Sequence, residues 1–132
     1  LKIATWLQNQ EEVSWVNYPG LQSSPYFELS QKYLPEGQSG IVTFGLHGGF
    51  EAAKVVADNT KIFSLLANIG DTKSLIIHPG STTHQQLSDE NQEITGVTKD
   101  LVRLSVGLED FSDLTMVRLN AGHRFTALNN LC

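Results

Sequence analysis

Apolar positions along this chain recur with a helical period in some stretches and with a period of two in others, and the switches between them predict the elements. Ile3, Ala4 and Leu7 share one helical face with Trp6 beside them, which predicts a helix over 1–10. No Ser, Thr, Asp or Asn precedes it to cap the first turn, and no methionine stands at Leu1, so the expectation is a helix that began upstream. Residues 13–18 predict a short strand closed by Pro19 and Gly20, a pair suited to the centre of a type II turn. Ser24 and Pro25 supply a cap and a first-turn proline for a helix bearing Tyr26, Phe27, Leu29, Tyr33 and Leu34, which Pro35 and Gly37 stop. Residues 40–46 alternate as a strand, with Val42, Phe44 and Leu46 on the face expected to be buried. After Gly48 and Gly49 a helix is predicted over 50–58, then strands over 62–67 and 74–78, a short polar helix over 89–96, and a last helix from about Ser112. Strands and helices interleave throughout, which predicts an α/β (α+β) fold, one mixed sheet with helices packed on it, in a single domain over 1–132.

The most informative strand runs over 101–109 and reads LVRLSVGLE. Val102, Leu104, Val106 and Leu108 fall on one face, and Leu101, Arg103, Ser105 and Gly107 on the other. Arg103 therefore points away from the apolar layer. Beyond it the same face carries a hydroxymethyl and then no side chain, so the guanidinium is expected to overlook an open notch suited to a carboxylate, whose two oxygens match its planar fork of donors. A sheet covered on one side only would instead leave Arg103 in solvent, and the pattern by itself leaves both readings open.

Composition narrows the partners. A chain of 132 residues buries about two thirds of its unfolded surface, enough for a core without disulfide or metal staples. The net charge of -5 with dispersed acids and bases offers no footprint for nucleic acid or an anionic membrane. Absence of a long apolar stretch and of a signal-peptide pattern gives the expectation of a soluble, cytoplasmic protein. The single Cys132 rules out an internal disulfide framework and a cysteine-rich zinc site, and His47, His78, His84 and His123 are too dispersed to form a ligand set, so no metal is expected.

Local motifs have plain readings. Gly45, Gly48 and Gly49 lie between a strand and a helix, yet lack the lysine or the spacing of a nucleotide loop, and read as a turn. Ser81, Thr82 and Thr83 before His84 suit the capping of backbone groups rather than nucleophilic catalysis. Lys99, nearest the arginine strand, sits beside Asp100 in a polar turn and reads as solvated.

Three segments taken together carry more. Tyr18-Pro19-Gly20-Leu21, SLIIHPGSTTH from Ser74 to His84, and the stretch from Gly96 through Glu109 resemble the pyridoxal-phosphate enzymes of cysteine and methionine metabolism, most of all the O-acetylhomoserine sulfhydrylases. The resemblance covers residues 1 to about 114 and matches the carboxy-terminal small domain of the aspartate-aminotransferase (fold type I) architecture. It implies that Arg103 grips the substrate's α-carboxylate and that Asn68, before Ile69, Gly70 and Asp71, contributes to the same pocket. An ordinary turn at Asn68 accounts for the same residue types. It implies as partners an amino-acid substrate, a large amino-terminal domain that binds pyridoxal 5'-phosphate, and assembly into a homotetramer. The parent reaction would remove the α-proton of O-acetylhomoserine, expel acetate by γ-elimination and add sulfide or a thiol to give homocysteine or methionine.

The family's Schiff-base lysine, pyridine-pairing acid and phosphate-binding groups are missing, so no catalytic or cofactor-binding residue is expected in this chain, and the isolated chain is expected to be inactive. The sequence also departs from the family after Asp113, where Gly122 interrupts what is usually an amphipathic helix; 115–132 is expected to be a divergent, poorly ordered tail. Two alternatives stay open: the same domain of a cystathionine γ-synthase, γ-lyase or methionine γ-lyase, and a standalone amino-acid-binding or structural module.

Overall fold

The computed structural model describes residues 1–116. In chain order the elements are α1 (Lys2–Gln8), β1 (Val13–Asn17), α2 (Phe27–Tyr33), β2 (Ile41–Leu46), α3 (Gly49–Asp58), β3 (Ser64–Leu65), β4 (Leu75–Ile77), α4 (Asp89–Ile94), β5 (Leu101–Ser105) and α5 (Phe111–Leu114), with a single 3-10 turn at Pro79–Ser81. The strands form one sheet in the order β1-β2-β5-β4-β3. All pairings are antiparallel except that of β3 with β4. The predicted mixed sheet with packed helices is what the chain forms, and the expectation for the tail beyond residue 116, with His123 and Cys132, falls outside the described residues.

The core lies on one face of this sheet. Val42, Phe44 and Leu46 of β2, Val102 and Leu104 of β5 and Ile76 of β4 pack with Ile3, Ala4 and Leu7 of α1 and with Ala52, Ala53, Val56 and Ala57 of α3. The alternation in β2 and the start of β5 thus selects the buried face as expected. Small residues on α3 let its axis sit close to the sheet, as the 0% exposure of Ala53 and Val102 reflects.

Several elements are shorter than their sequence patterns. The apolar run over 62–67 pairs only at Ser64–Leu65, and Leu66 is exposed, because the sheet ends there and offers no second partner. Strand β5 stops at Ser105, and Leu108, predicted to share its buried face, is 84% exposed. Beyond Ser105 the amide of Leu108 donates instead to the carbonyl of Thr72, which turns the chain out of the ladder. In α2 the apolar residues Leu29 and Tyr33 are exposed, as are Tyr26 and Leu34 at its two caps, and the one buried residue is Ser30, whose hydroxyl donates to the carbonyls of Pro19 and Phe27. The turn after β1 closes with Leu21 N donating to Tyr18 O, but Gly20 lacks the positive φ of a type II turn.

Gly45 answers to a different constraint from the turn read at its position. It lies inside β2, opposite Trp15 on one side and Leu101 on the other. The Trp15 indole crosses over it to donate from Nε1 to Asp100 Oδ2 at 2.8 Å, and a Cβ at Gly45 would collide with both groups. Gly45→Ala is therefore expected to destabilise the chain by about 1–3 kcal/mol through overpacking. Urea denaturation checks this; an unchanged midpoint would mean that the indole and carboxylate can part without cost.

Candidate functional site

Arg103 occupies the middle of β5, with Thr43 of β2 and Ile77 of β4 as its cross-strand neighbours. Since Val102 and Leu104 enter the core, the pleat sends the Arg103 side chain to the opposite face. The side chain is partly buried there, and Nη2 donates to the backbone carbonyl of Asn68 at 3.1 Å. Its Nε is buried and has no hydrogen-bond partner. Among the described residues no carboxylate pairs with the guanidinium; both ion pairs there involve lysines, Lys54 with Asp58 and Lys99 with Asp89. A cation with one neutral acceptor and a buried orphan donor is an incomplete site, because an unpaired buried N–H costs about 1–3 kcal/mol. An incoming carboxylate offers the missing charge at the exposed Nη end of the fork, Nε itself being closed to solvent.

Arg103 and Asn68 come together through the Asn68 main chain. Asn68 meets the arginine by its main chain, while its side chain forms a turn: Oδ1 accepts from Ile69 N at 2.9 Å and Nδ2 donates to Asp71 Oδ2 at 3.4 Å. Gly70 takes φ +75°, as such a turn requires.

The open notch beyond Arg103 is not there. Ser105 is 2% exposed, and the backbone of residues 72–74 lies so close over Gly107 that an added Cβ would strike Thr72 O, Lys73 C and Ser74 N. Gly107 is needed for this close approach and leaves no vacancy. The guanidinium therefore looks toward the exposed stretch 65–70 rather than along its own strand.

The segment over Gly107 is clasped by a carboxylate that the sequence reading passed over. Glu109 Oε1 accepts from Ser74 N and Oε2 from Ser74 Oγ, each at 2.7 Å, while Ser74 Oγ accepts from Gly107 N at 2.8 Å. Burial pushes the Glu109 carboxyl up, but the two donations from Ser74 and the attraction of Lys73 outweigh it and hold the group below its ordinary value. Asp100, 85 residues from its partner Trp15, was equally invisible, since no local pattern encodes so distant a bond.

The other candidates are engaged in local structure. His78 is buried, and both its ring nitrogens are occupied, Nδ1 by Ser81 Oγ at 2.9 Å and Nε2 by Lys99 O at 3.0 Å, with the Phe50 ring edge-on. Thr82 Oγ1 donates to His78 O, and Gln92, buried on α4, donates to Gly80 O and His84 O. Gly48 and Gly49 form the turn into α3. No cluster of three potential metal ligands occurs among the described residues, nor does a helix long and apolar enough to cross a membrane.

The mixed sheet with helices packed on it is of the α/β class seen in fold type I enzymes. The family model of the Cys/Met metabolism PLP-dependent enzymes matches residues 1–119, and the chain belongs to that family. It is 53% identical over 114 residues to O-acetyl-L-homoserine sulfhydrylase 1 of Thermus thermophilus, covering 86% of this chain and 27% of that protein. To the O-acetyl-L-homoserine sulfhydrylase of Leptospira meyeri it is 52% identical over 115 residues, covering 86% of this chain and 26% of that protein. A crystal structure from Campylobacter jejuni, assigned as an O-acetylhomoserine (thiol)-lyase and carrying a pyridoxyl-lysine phosphate, superposes with a TM-score of 0.81 at 44% identity, over 88% of this chain and 28% of that one. The chain thus spans about a quarter of the length of these relatives.

All six lysines are exposed, so none stands in the enclosed setting that lowers a Schiff-base lysine's pKa.

The lowered carboxyl of Glu109 has a testable sign. A depressed folded value contributes stability that is fully present above the ordinary 4.5 and is lost as pH falls through the folded value. Stability should therefore drop below about pH 4.5, and Glu109→Gln should flatten that drop. Urea midpoints across pH 3 to 6 measure both; identical slopes in the two proteins would contradict the assignment.

Proposed function

We propose that this chain is the carboxy-terminal small domain of an O-acetylhomoserine sulfhydrylase, in which Arg103 binds the α-carboxylate of the amino-acid substrate. The observation that carries this reading is the uncompensated guanidinium on β5, held by Asn68 O with its Nε unpartnered. Asn68 joins the site by fixing the arginine through its carbonyl, while its amide holds the turn with Ile69 and Asp71. Names of the similar proteins, including the homocysteine synthase of Schizosaccharomyces pombe at 45% identity, support the replacement of acetate by sulfide or a thiol as the reaction. Pyridoxal phosphate and the groups that do chemistry on it belong to the remainder of such an enzyme, a large amino-terminal domain, in a homotetramer working in the cytoplasm.

What this chain contributes is orientation. A bidentate guanidinium on a strand paired on both sides fixes the carboxylate, and with it the bond to be broken, before reaction, so that rotational freedom is lost on binding and not at the barrier. Lysine at this position would supply charge without the fork.

In the complete enzyme, Arg103→Ala is expected to lower kcat/KM for O-acetylhomoserine by about 2–5 kcal/mol in transition-state binding, and Arg103→Lys by less. Steady-state kinetics decides; wild-type efficiency in Arg103→Ala would remove the arginine from the site. The isolated chain, incubated with pyridoxal phosphate and borohydride, should yield no stoichiometric adduct at one lysine. Mass spectrometry that finds one would overturn the division of labour between the two parts.

A further inference from the structure

We infer that Glu109 is a positioning residue for the Arg103 clamp, acting through Ser74 and the loop 68–74; the inference rests on the reading of Arg103 as the substrate carboxylate's partner. The loop is tied at both ends. At the far end Ser74, 0% exposed, has its amide and hydroxyl taken up by the two oxygens of Glu109, and Leu108 N donates to Thr72 O at 2.9 Å. Within the loop, Asp71 Oδ1 accepts from Lys73 N at 3.1 Å, and its Oδ2 accepts from the Asn68 amide. At the near end the carbonyl of Asn68 accepts from Arg103 Nη2. A continuous series of hydrogen bonds and short covalent steps therefore runs from the Glu109 carboxylate to the guanidinium.

Two features give this path its leverage. Asn68 O is the one hydrogen-bond acceptor that the described residues give the guanidinium, so the loop's position sets where the fork points. Glu109 itself makes no ion pair with Arg103, and so its influence is geometric and not that of a counter-ion. Loss of the clasp would release residues 72–74 from Gly107 and let Asn68 O drift, which misaims the fork without touching any reacting atom.

The test is a double-mutant cycle in the full-length, cofactor-loaded enzyme, reading KM for O-acetylhomoserine and for sulfide separately. Glu109→Gln should raise KM for the amino acid about tenfold and leave that for sulfide within about twofold. In an Arg103→Ala background the same change should add less than about twofold, because the group being positioned is gone. Ser74→Ala, which removes the hydroxyl from the clasp but keeps the carboxylate, should move the same parameter in the same direction. It provides the reading if Glu109→Gln gives no cooperative melt. An unchanged amino-acid KM in both single variants, equal rises for both substrates, or full multiplication of the effects in the double variant would overturn the inference while Arg103→Ala still impairs binding. A silent Arg103→Ala would instead bring down the carboxylate reading on which it rests.

Discussion

Strand β5 hydrogen-bonds to β2 on one side and to β4 on the other, and this double pairing governs where Arg103 points more than any contact of its guanidinium. Register in such a strand cannot slip by one residue without sending Val102 and Leu104 out of the core and a charged side chain into it. The hydrophobic demand of one face thus fixes the polar chemistry of the other. The core is an indirect part of the site: Phe44, Ile76 and the helices α1 and α3 never touch the guanidinium, yet they hold the pleat that displays it.

The face that bears Arg103 is organised differently from the core face. There two long-range ties are polar: Glu109 to Ser74 and Trp15 to Asp100. Each fastens a loop to a strand or to another loop, in places where partly buried backbone would otherwise lack partners. Gly45 and Gly107 belong to the same arrangement, since each clears the space through which such a tie or a crossing chain passes. Apolar side chains are buried on this face too, Leu75, Ile77 and Leu101 among them, so the directional bonds work beside apolar contact there.

How much of this could be read from the residues depended on range. The alternation in β2 and β5, the capped polar helix α4, whose Ser88 accepts from Asn91 N, and the turn at Asn68 are local, and local periodicity or side-chain chemistry encodes them. Arg103 was legible for the same reason, as a charge inside an apolar alternation. Its surroundings were not. Ser105 and Gly107 looked like empty space because small side chains read identically whether they leave a gap or admit a close neighbour, and residues 72–74 supply that neighbour from 33 residues away, the separation of the Ser74–Gly107 bond. Family likeness implied that Asn68 and Arg103 line one pocket, but the hydrogen bond from the guanidinium to the Asn68 carbonyl is a matter of backbone geometry that composition does not carry. Strand ends were misjudged where the apolar run outlasted its partner, as beyond Leu65 and Ser105, since pairing requires a neighbouring edge as well as a propensity.

The strand order also sets a schedule for assembly. β5 is the last strand in sequence among the described residues, yet it lies between β2 and β4. While the chain is being made, β1 with β2 and β3 with β4 can form only two separate ribbons, each with an unpaired inner edge facing the gap. Closure waits for the ribosome to release residue 105, and it then joins segments about sixty residues apart in one step. The nascent sheet carries two sticky edges over that interval, a liability for off-pathway pairing that ends only when the arginine-bearing strand zips the halves together. The display of Arg103 and the completed sheet are consequently born in the same event, so a molecule that presents this guanidinium in place is one whose sheet has already closed.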